Sequence, residues 1–417
     1  MTGAAHSPQT NGASQRDGGS RGVLDAARLT HELTLSPRPI PAPDSPELWA
    51  QGEATDHMIL ARYNPTNGGW AAPELVPYGP ISLMPTAAVL HYATECFEGM
   101  KLYRGVDGRI RLFRPEHNAN RMRQSAARVS LPDFPAEQLV KLIAALAAVD
   151  APRWLPKDRP GTYLYIRPTM IATQPSLAIK KASEALLYIM LVCFPDFDNP
   201  TGSLGPPQGG KVRRPGLRLL ASSKDMVRAW PGGFGNCKVG ANYGPSIIAS
   251  AAAAQQGFDQ ILWLLGGEEW VTEAGACNFF ALIKPKGGLG KTQLLTAPLG
   301  NGVVLPGVTR TSVLETVSET LADDIDVVER NFSIRELIDA AKDDRLVECF
   351  VCGTAFFITP VGEISYEGKA VVIPVGDERG GSLNLVERLR ERLWAIMHGE
   401  IEHPWGYIVE EGEVSTP

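Results

Sequence analysis

The chain has 417 residues, 44% of them hydrophobic and 21% charged, a globular composition in a length that calls for two domains rather than one core. Its net charge of -6 gives no electrostatic footprint for nucleic acid, and the longest apolar run, residues 185–194, is far short of the ~18 residues a membrane span requires. Six cysteines in so long a chain make no disulfide framework, and the CxxC of Cys349 and Cys352 lacks the second pair or His cluster of a zinc set, so no metal is expected.

In chain order, residues 1–46 come first. The first 48 residues hold no Phe, Tyr or Trp and end among Pro37, Pro39, Pro41, Pro43 and Pro46, so residues 1–46 are expected to be a disordered tail. Arg16, Arg21 and Arg28 are offset by Asp17, Asp25 and Glu32, a weak signal for mitochondrial import; a cytoplasmic location is expected, with the mitochondrion left open. Residues 47–197 are expected to form a small domain. Its strands are expected at 110–113, 163–172 and 186–194, and its helices at 115–129 and 135–149, each with Pro in the first turn, where the missing N–H costs nothing. Residues 198–216 carry Gly202, Gly205, Gly209 and Gly210 among Pro200, Pro206, Pro207 and Pro215, the density of breakers expected of an interdomain linker.

Residues 217–405 are expected to be the larger domain. An Ala-rich helix over 246–256 stops at Gly257, and a hairpin turns at Gly266 and Gly267. Ser333 and Glu336 form a capping box, residues 346–354 read as a buried strand that makes Cys349 and Cys352 core residues, and 384–398 reads as an amphipathic helix. Residues 406–417 are expected to be a C-terminal tail. Strands grouped with helices, rather than strictly alternating with them, favour an α+β fold over a doubly wound sheet.

The chemistry is concentrated between residues 232 and 280. Gly232, Gly233 and Gly235 lead into Asn236-Cys237-Lys238, Asn242-Tyr243-Gly244-Pro245 follow, and Glu273 comes later in Thr272-Glu273-Ala274-Gly275. Desolvation lowers the pKa of a lysine and makes it a nucleophile, although a lone lysine in a Gly-rich stretch is more often an exposed loop residue. The ensemble decides between these. Phe97-Glu98-Gly99-Met100-Lys101, Arg111-Leu112-Phe113-Arg114-Pro115, Asn120-Arg121-Met122 and Tyr165-Ile166-Arg167-Pro168 precede the lysine in that order. Leu305-Pro306-Gly307-Val308-Thr309-Arg310 and Gly353-Thr354-Ala355 follow it. With these motifs, over roughly residues 55–368, the chain resembles the branched-chain amino-acid aminotransferases of the fold-type IV pyridoxal-phosphate family, in their eukaryotic form.

The resemblance implies a two-domain α+β enzyme with pyridoxal 5'-phosphate between the domains. Lys238 would form a Schiff base with the cofactor and then move the substrate proton. Glu273 would face the pyridine nitrogen and keep it protonated, and Tyr243 would donate to the phenolic oxygen. Arg121, Val308, Thr309 and Thr354 would hold the phosphate, the middle two at a helix N-terminus with free N–H groups. Thr354 and Ala355 would receive the substrate α-carboxylate. Tyr92, from the second subunit of a homodimer, would line the side-chain pocket with Phe97, Tyr165 and Arg167, the last two on one face of a strand. The implied reaction passes the amino group of Leu, Ile or Val to 2-oxoglutarate, its partners being these small molecules and not nucleic acid or membrane. A D-amino-acid aminotransferase, an aminodeoxychorismate lyase or an inactive cofactor-binding homologue are the other readings, and the Tyr165–Arg167 strand and the intact Lys238, Tyr243 and Glu273 speak against them.

Three departures stand out. Phe356 and Thr359 occupy the positions of the CxxC found after Gly-Thr-Ala in mammalian-type members, so thiol regulation is not expected to carry over. Ala276 stands where a pocket threonine is common, and Cys237 where tyrosine often precedes the lysine.

Overall fold

A computed structural model describes residues 22–42, 45–159, 162–195, 216–375 and 384–412. Nine strands of the first sheet come early in the chain: β1 (Thr30–His31), β2 (Ala54–Asn64), β3 (Gly69–Trp70), β4 (Glu74–Pro77), β5 (Glu95–Phe97), β6 (Met100–Arg104), β7 (Ile110–Phe113), β8 (Tyr163–Ala172) and β9 (Ala185–Cys193). The second sheet holds β10 (Leu217–Ala221), β11 (Gln260–Leu265), β12 (Trp270–Ala274), β13 (Cys277–Ile283), β14 (Thr292–Thr296), β15 (Ile325–Glu329), β16 (Leu346–Gly353), β17 (Phe357–Tyr366) and β18 (Lys369–Val372). A last strand, β19 (Gly406–Val409), returns to the first sheet. The helices are α1 (Pro46–Trp49), α2 (Val89–Tyr92), α3 (Pro115–Arg128), α4 (Ala136–Trp154), α5 (Ile247–Gln255), α6 (Val308–Thr320), α7 (Ile334–Lys342) and α8 (Leu385–His398).

The first sheet runs β1-β4-β2-β9-β8-β6-β7-β19, with β3 beside β2 and β5 beside β8. The second runs β12-β11-β10-β17-β16-β13-β14-β15, and β12 also pairs β13, so part of it closes on itself. Strands near the middle of each sheet are apolar without alternation because both faces are covered; all seven residues of β13 are buried. Helices α3 and α4 cover the first sheet through Met122, Leu139, Ile143 and Leu146, all in its core. The fold is α+β, as expected. Among the described residues no helix is long and apolar enough to cross a membrane, and no group of His, Cys, Asp and Glu is arranged to hold a metal ion.

Local signals place the element ends. The Ser333 hydroxyl accepts the N–H of Glu336 at 3.2 Å and starts α7. Asn384 caps α8, which ends at Gly399 with φ 77°. Helix α4 runs five residues beyond the expected 149, to Trp154, with Pro152 inside it. Proline cannot donate to the carbonyl of Ala148 one turn back, and that carbonyl instead accepts the N–H of Gly412 at 3.2 Å.

Both expected tails are corrected where they are described. Leu24 is fully buried in the core of the first sheet, and β1 pairs β4. The N–H of Thr34 donates to His57 Nε2 at 3.0 Å and that of Arg38 to Asp56 at 2.6 Å. A segment without aromatic residues cannot build a core, but it can lend one leucine and its backbone donors to a core already present. At the other end β19 pairs β7 with Gly406 opposite Phe113, covering an edge that would otherwise expose unpaired backbone groups. Residues 1–21, the expected linker up to 215, and residues 413–417 lie outside the described residues.

Candidate active site

Lys238 sits between the sheets on a loop whose backbone is clamped. Its N–H donates to Ser125 Oγ of α3 at 2.8 Å, and its carbonyl accepts the N–H of Phe97 at 3.0 Å. Asn242 braces the loop from below, its Nδ2 donating to the carbonyls of Phe234 and Cys237, each at 2.8 Å. The half-buried ammonium is thereby aimed at one place. It donates to Tyr243 Oη at 3.2 Å and lies 5.0 Å from the centre of the Phe97 ring. The rings of Phe97 and Tyr243 meet at 5.0 Å.

Glu273 lies near the end of β12 opposite Asn278 and is almost fully buried. Asn278 Nδ2 and the N–H of Leu305 donate to Oε1 at 3.2 and 3.1 Å, and Arg228 Nη2 stands 2.5 Å from Oε2. Burial pushes the carboxyl above its usual range; the Arg228 guanidinium and the Leu305 N–H oppose that rise. Glu273, Tyr243, Leu305 and Phe356 line a cavity of about 120 Å³, and Ala276 faces the same space.

The seat expected for a phosphate is formed by the start of α6. Gly307 is its N-cap, Val308 and Thr309 are buried, and the first-turn N–H groups have no helical partner. Glycine is required before the helix, because a Cβ at Gly307 would fall 2.1 Å from Asn278 Oδ1. Thr309 and Thr354 line a further cavity of about 20 Å³ with Lys101 and Asn118. Arg121 approaches from α3 and is engaged by protein: Nε and Nη2 donate to Glu98 at 2.7 and 2.8 Å, and Nη1 to the carbonyl of Pro306 at 3.0 Å. Guanidinium has five N–H donors, so Arg121 retains some for an oxygen in the seat. Thr354 and Ala355 lie on the turn from β16 to β17, where the buried Lys101 donates to the Ala355 carbonyl at 3.4 Å.

Tyr165 and Arg167 share a face of β8, as their two-residue spacing requires. Tyr165 stacks on Phe194 at 4.4 Å, and its hydroxyl occupies the space above Gly99, where a Cβ would be 1.9 Å from Oη. Arg167 lies over aromatic rings, its Cζ 4.8 Å from the Phe97 ring centre and 5.3 Å from that of Tyr165, and its charge opposes the rise that burial imposes on the Glu95 carboxyl. Its Nε is buried without a partner among the described residues. Tyr92 is not brought into the same pocket. It ends α2, is 38% exposed, and donates its hydroxyl to the carbonyl of Leu177.

Three residues at the site carry no role in the sequence reading. Glu98 stands in a motif quoted there but pairs with Arg121 unforeseen, and Asn278 and Arg228 secure Glu273. The available signal was a charged residue in an apolar run, as in Val227-Arg228-Ala229-Trp230.

The profile of the amino-transferase class IV family matches residues 95–364, which contain every residue of this pocket. The cytosolic branched-chain-amino-acid aminotransferase of Mus musculus is 38% identical over 400 residues, covering 95% of this chain and 98% of its own. The mitochondrial form from Mus musculus is 39% identical over 387 residues, with 93% and 92% covered. Among solved structures, the branched-chain amino acid aminotransferase of Thermobaculum terrenum in its PLP-form aligns with a TM-score of 0.61 at 21% identity, covering 86% of this chain and 99% of that one, a likeness of fold.

Proposed function

The chain belongs to the class IV aminotransferases, and from that membership we propose that it transfers the amino group of L-leucine, L-isoleucine or L-valine to 2-oxoglutarate, with pyridoxal phosphate as cofactor. The observation that carries the proposal is Lys238, held 3.2 Å from Tyr243 beside an aromatic wall over which Arg167 lies. Such a wall accepts an aliphatic side chain by contact and a dicarboxylate through Arg167.

The residues present fit the cofactor. A buried carboxylate surrounded by donors suits a protonated ring nitrogen, and a helix N-terminus with Thr309, Thr354 and Arg121 suits a phosphate. Bound there, pyridoxal phosphate supplies an aldehyde that takes up amino groups and a ring that draws electrons from the substrate α-carbon. The protein does the rest. Glu273 would hold the ring nitrogen and Tyr243 the phenolic oxygen, and Val308, Thr309, Thr354 and Arg121 would hold the phosphate. The N–H groups of Thr354 and Ala355 would orient the α-carboxylate, and the Lys238 amine would remove the Cα proton of the amino donor and, in the second half-reaction, deliver a proton to the Cα of the 2-oxo acid acceptor. Phe97 and Tyr165 cover the aliphatic side chain and keep water from the reacting carbon.

The unit that completes the pocket is a second copy of this chain. Met84, Leu90, Leu177 and Ile179 are exposed around Tyr92, Ile179 by 87%, an apolar margin suited to a homodimer in which Tyr92 enters the partner's pocket. The two sheets are assigned to domains over 47–197 and 217–405 joined by 198–216, with β1 and β19 added to the first. Assay of product 2-oxo acids with L-leucine, L-isoleucine, L-valine and D-alanine tests the proposal: turnover of the three branched L-amino acids supports it, and turnover of D-alanine alone would replace it.

A further inference from the structure

Arg228 reaches Glu273 from the loop that leads to Lys238. Besides its 2.5 Å approach to Oε2, Nη2 donates to the carbonyl of Val303 at 2.7 Å and makes a longer contact, 3.5 Å, to that of Gly235. One guanidinium therefore joins the lysine loop, the segment before α6 and the end of β12. The approach leaves no slack, since a Cβ at Gly235 would fall 2.4 Å from both the Val303 carbonyl oxygen and the Ala229 Cβ.

Lone-pair accounting gives this contact a direction. A carboxylate offers about four acceptor positions. At Glu273, Oε1 takes Asn278 Nδ2 and the Leu305 N–H, and Oε2 takes Arg228. Each of these neighbours is a donor, and one position on Oε2 is left. Arg228 and Glu273 line the same cavity of about 120 Å³ as Tyr243, so the fourth donor belongs to whatever fills that cavity.

We propose that Arg228 is a positioning residue that keeps Glu273 ionised and turned toward the ring nitrogen of the cofactor, so that the two side chains act as one unit. The inference rests on the pyridoxal-phosphate reading above. Burial drives the Glu273 carboxyl upward, and Arg228 opposes it, followed by the Leu305 N–H, Lys238 and Arg121. The other titratable groups facing it are the Tyr243 hydroxyl in the shared cavity and the buried thiols of Cys277 and Cys352, both raised by burial. Without the guanidinium the carboxyl rises further, and once Glu273 is protonated the charge-assisted bond from a cationic ring nitrogen to its carboxylate is lost.

The test compares two cofactors on the apoprotein: pyridoxal phosphate, and its deaza analogue with carbon in place of the ring nitrogen. Binding is measured by equilibrium dialysis at about pH 6 and about pH 9 for the wild type and for Arg228→Met, Arg228→Gln, Arg228→Lys, Glu273→Gln and the double variant Arg228→Met/Glu273→Gln. The wild type should prefer pyridoxal phosphate by about tenfold or more, the scale of one hydrogen bond to a charged group. Arg228→Met and Arg228→Gln should lose that preference at the lower pH and regain part of it at the higher, Arg228→Lys should keep it, and the double variant should match Glu273→Gln. A variant without the guanidinium that weakens both cofactors equally, or that keeps the full preference at both pH values, overturns the proposal. Arg228→Gln retains a donor for the Val303 carbonyl, so the comparison survives if Arg228→Met does not fold. Wild-type protein that binds neither cofactor would instead remove the pyridoxal-phosphate reading itself.

Discussion

Glu98 and Arg121 meet through two parallel hydrogen bonds, 2.7 and 2.8 Å long, with neither side chain more than 7% exposed. Asn118 Nδ2 donates to the same carboxylate at 2.8 Å and the Gly99 N–H at 3.2 Å, so the buried anion is fully served. This pair fixes in place the arginine proposed for the phosphate seat.

Removing one partner should therefore cost more than removing both. Arg121→Met leaves an uncompensated buried carboxylate, and urea unfolding without added cofactor should show a loss of about 3–5 kcal/mol. The double variant Glu98→Met/Arg121→Met should recover a good part of that. The pair also has a pH signature. Burial opposes ionisation of Glu98, but the Arg121 guanidinium and Asn118 outweigh it and hold the carboxyl below its usual value. A depressed folded pKa means that the stabilisation is present above the unfolded value, about 4.3, and is lost as pH falls through the folded one. Acid unfolding of the wild type should be steeper below about pH 4.3 than that of Glu98→Gln. An Arg121→Met variant as stable as the wild type would show that the pair is energetically silent.

Glu273→Gln should retain cofactor yet turn over about a hundredfold more slowly, equivalent to ~2.7 kcal/mol of transition-state stabilisation. A neutral amide still accepts from the Leu305 N–H but cannot hold a ring nitrogen as a cation. Steady-state rates at saturating L-leucine measure this, and a rate within a few-fold of wild type would reduce Glu273 to a structural residue.

Arg167→Ala should separate the two substrates. The guanidinium lies over the Phe97 and Tyr165 rings, so its loss should remove the partner proposed for the glutamate side chain but little of the wall that packs leucine. Single-turnover kinetics should show the L-leucine half-reaction within several-fold of wild type. The 2-oxoglutarate half-reaction should weaken by one to two orders of magnitude, from ~1.5–3 kcal/mol for a hydrogen bond to a charged group. Equal loss in both half-reactions would mean that Arg167 only braces the pocket.

Mild peroxide should leave activity nearly unchanged. All six cysteines are buried and unbridged, and Cys349 and Cys352 belong to cores on opposite faces of β16. Burial also holds the Cys352 thiol well above its usual pKa, far from the reactive thiolate. Activity that falls with peroxide, returns with a thiol reductant and is protected by Cys352→Ser would contradict this.

The parts of the site that were legible in the sequence are those carried by short-range order. A two-residue spacing puts Tyr165 and Arg167 on one face whatever surrounds them, and Gly307 ahead of Val308 and Thr309 marks a helix start that exposes N–H groups. The rest depends on groups far apart in the chain. Glu98, in the link between β5 and β6, and Arg121, on α3, lie 23 residues apart, and Arg228 and Glu273 belong to a loop and a strand, so each charge is visible but not the partner that neutralises it. Leu24 illustrates the same limit in the fold. Its neighbours look too polar to order themselves, and only the finished first sheet supplies the cavity that it fills.

The most direct test of the aminotransferase account is the visible spectrum of the purified protein reconstituted with pyridoxal phosphate. L-leucine added alone should remove the absorbance of the bound aldehyde form as 4-methyl-2-oxopentanoate is released, and 2-oxoglutarate added next should restore it as glutamate is released. Lys238→Ala should show neither change at the rate of the wild type, because the amine proposed to move the Cα proton is gone. A wild-type spectrum indifferent to L-leucine, or a Lys238→Ala variant with undiminished turnover, would contradict the account.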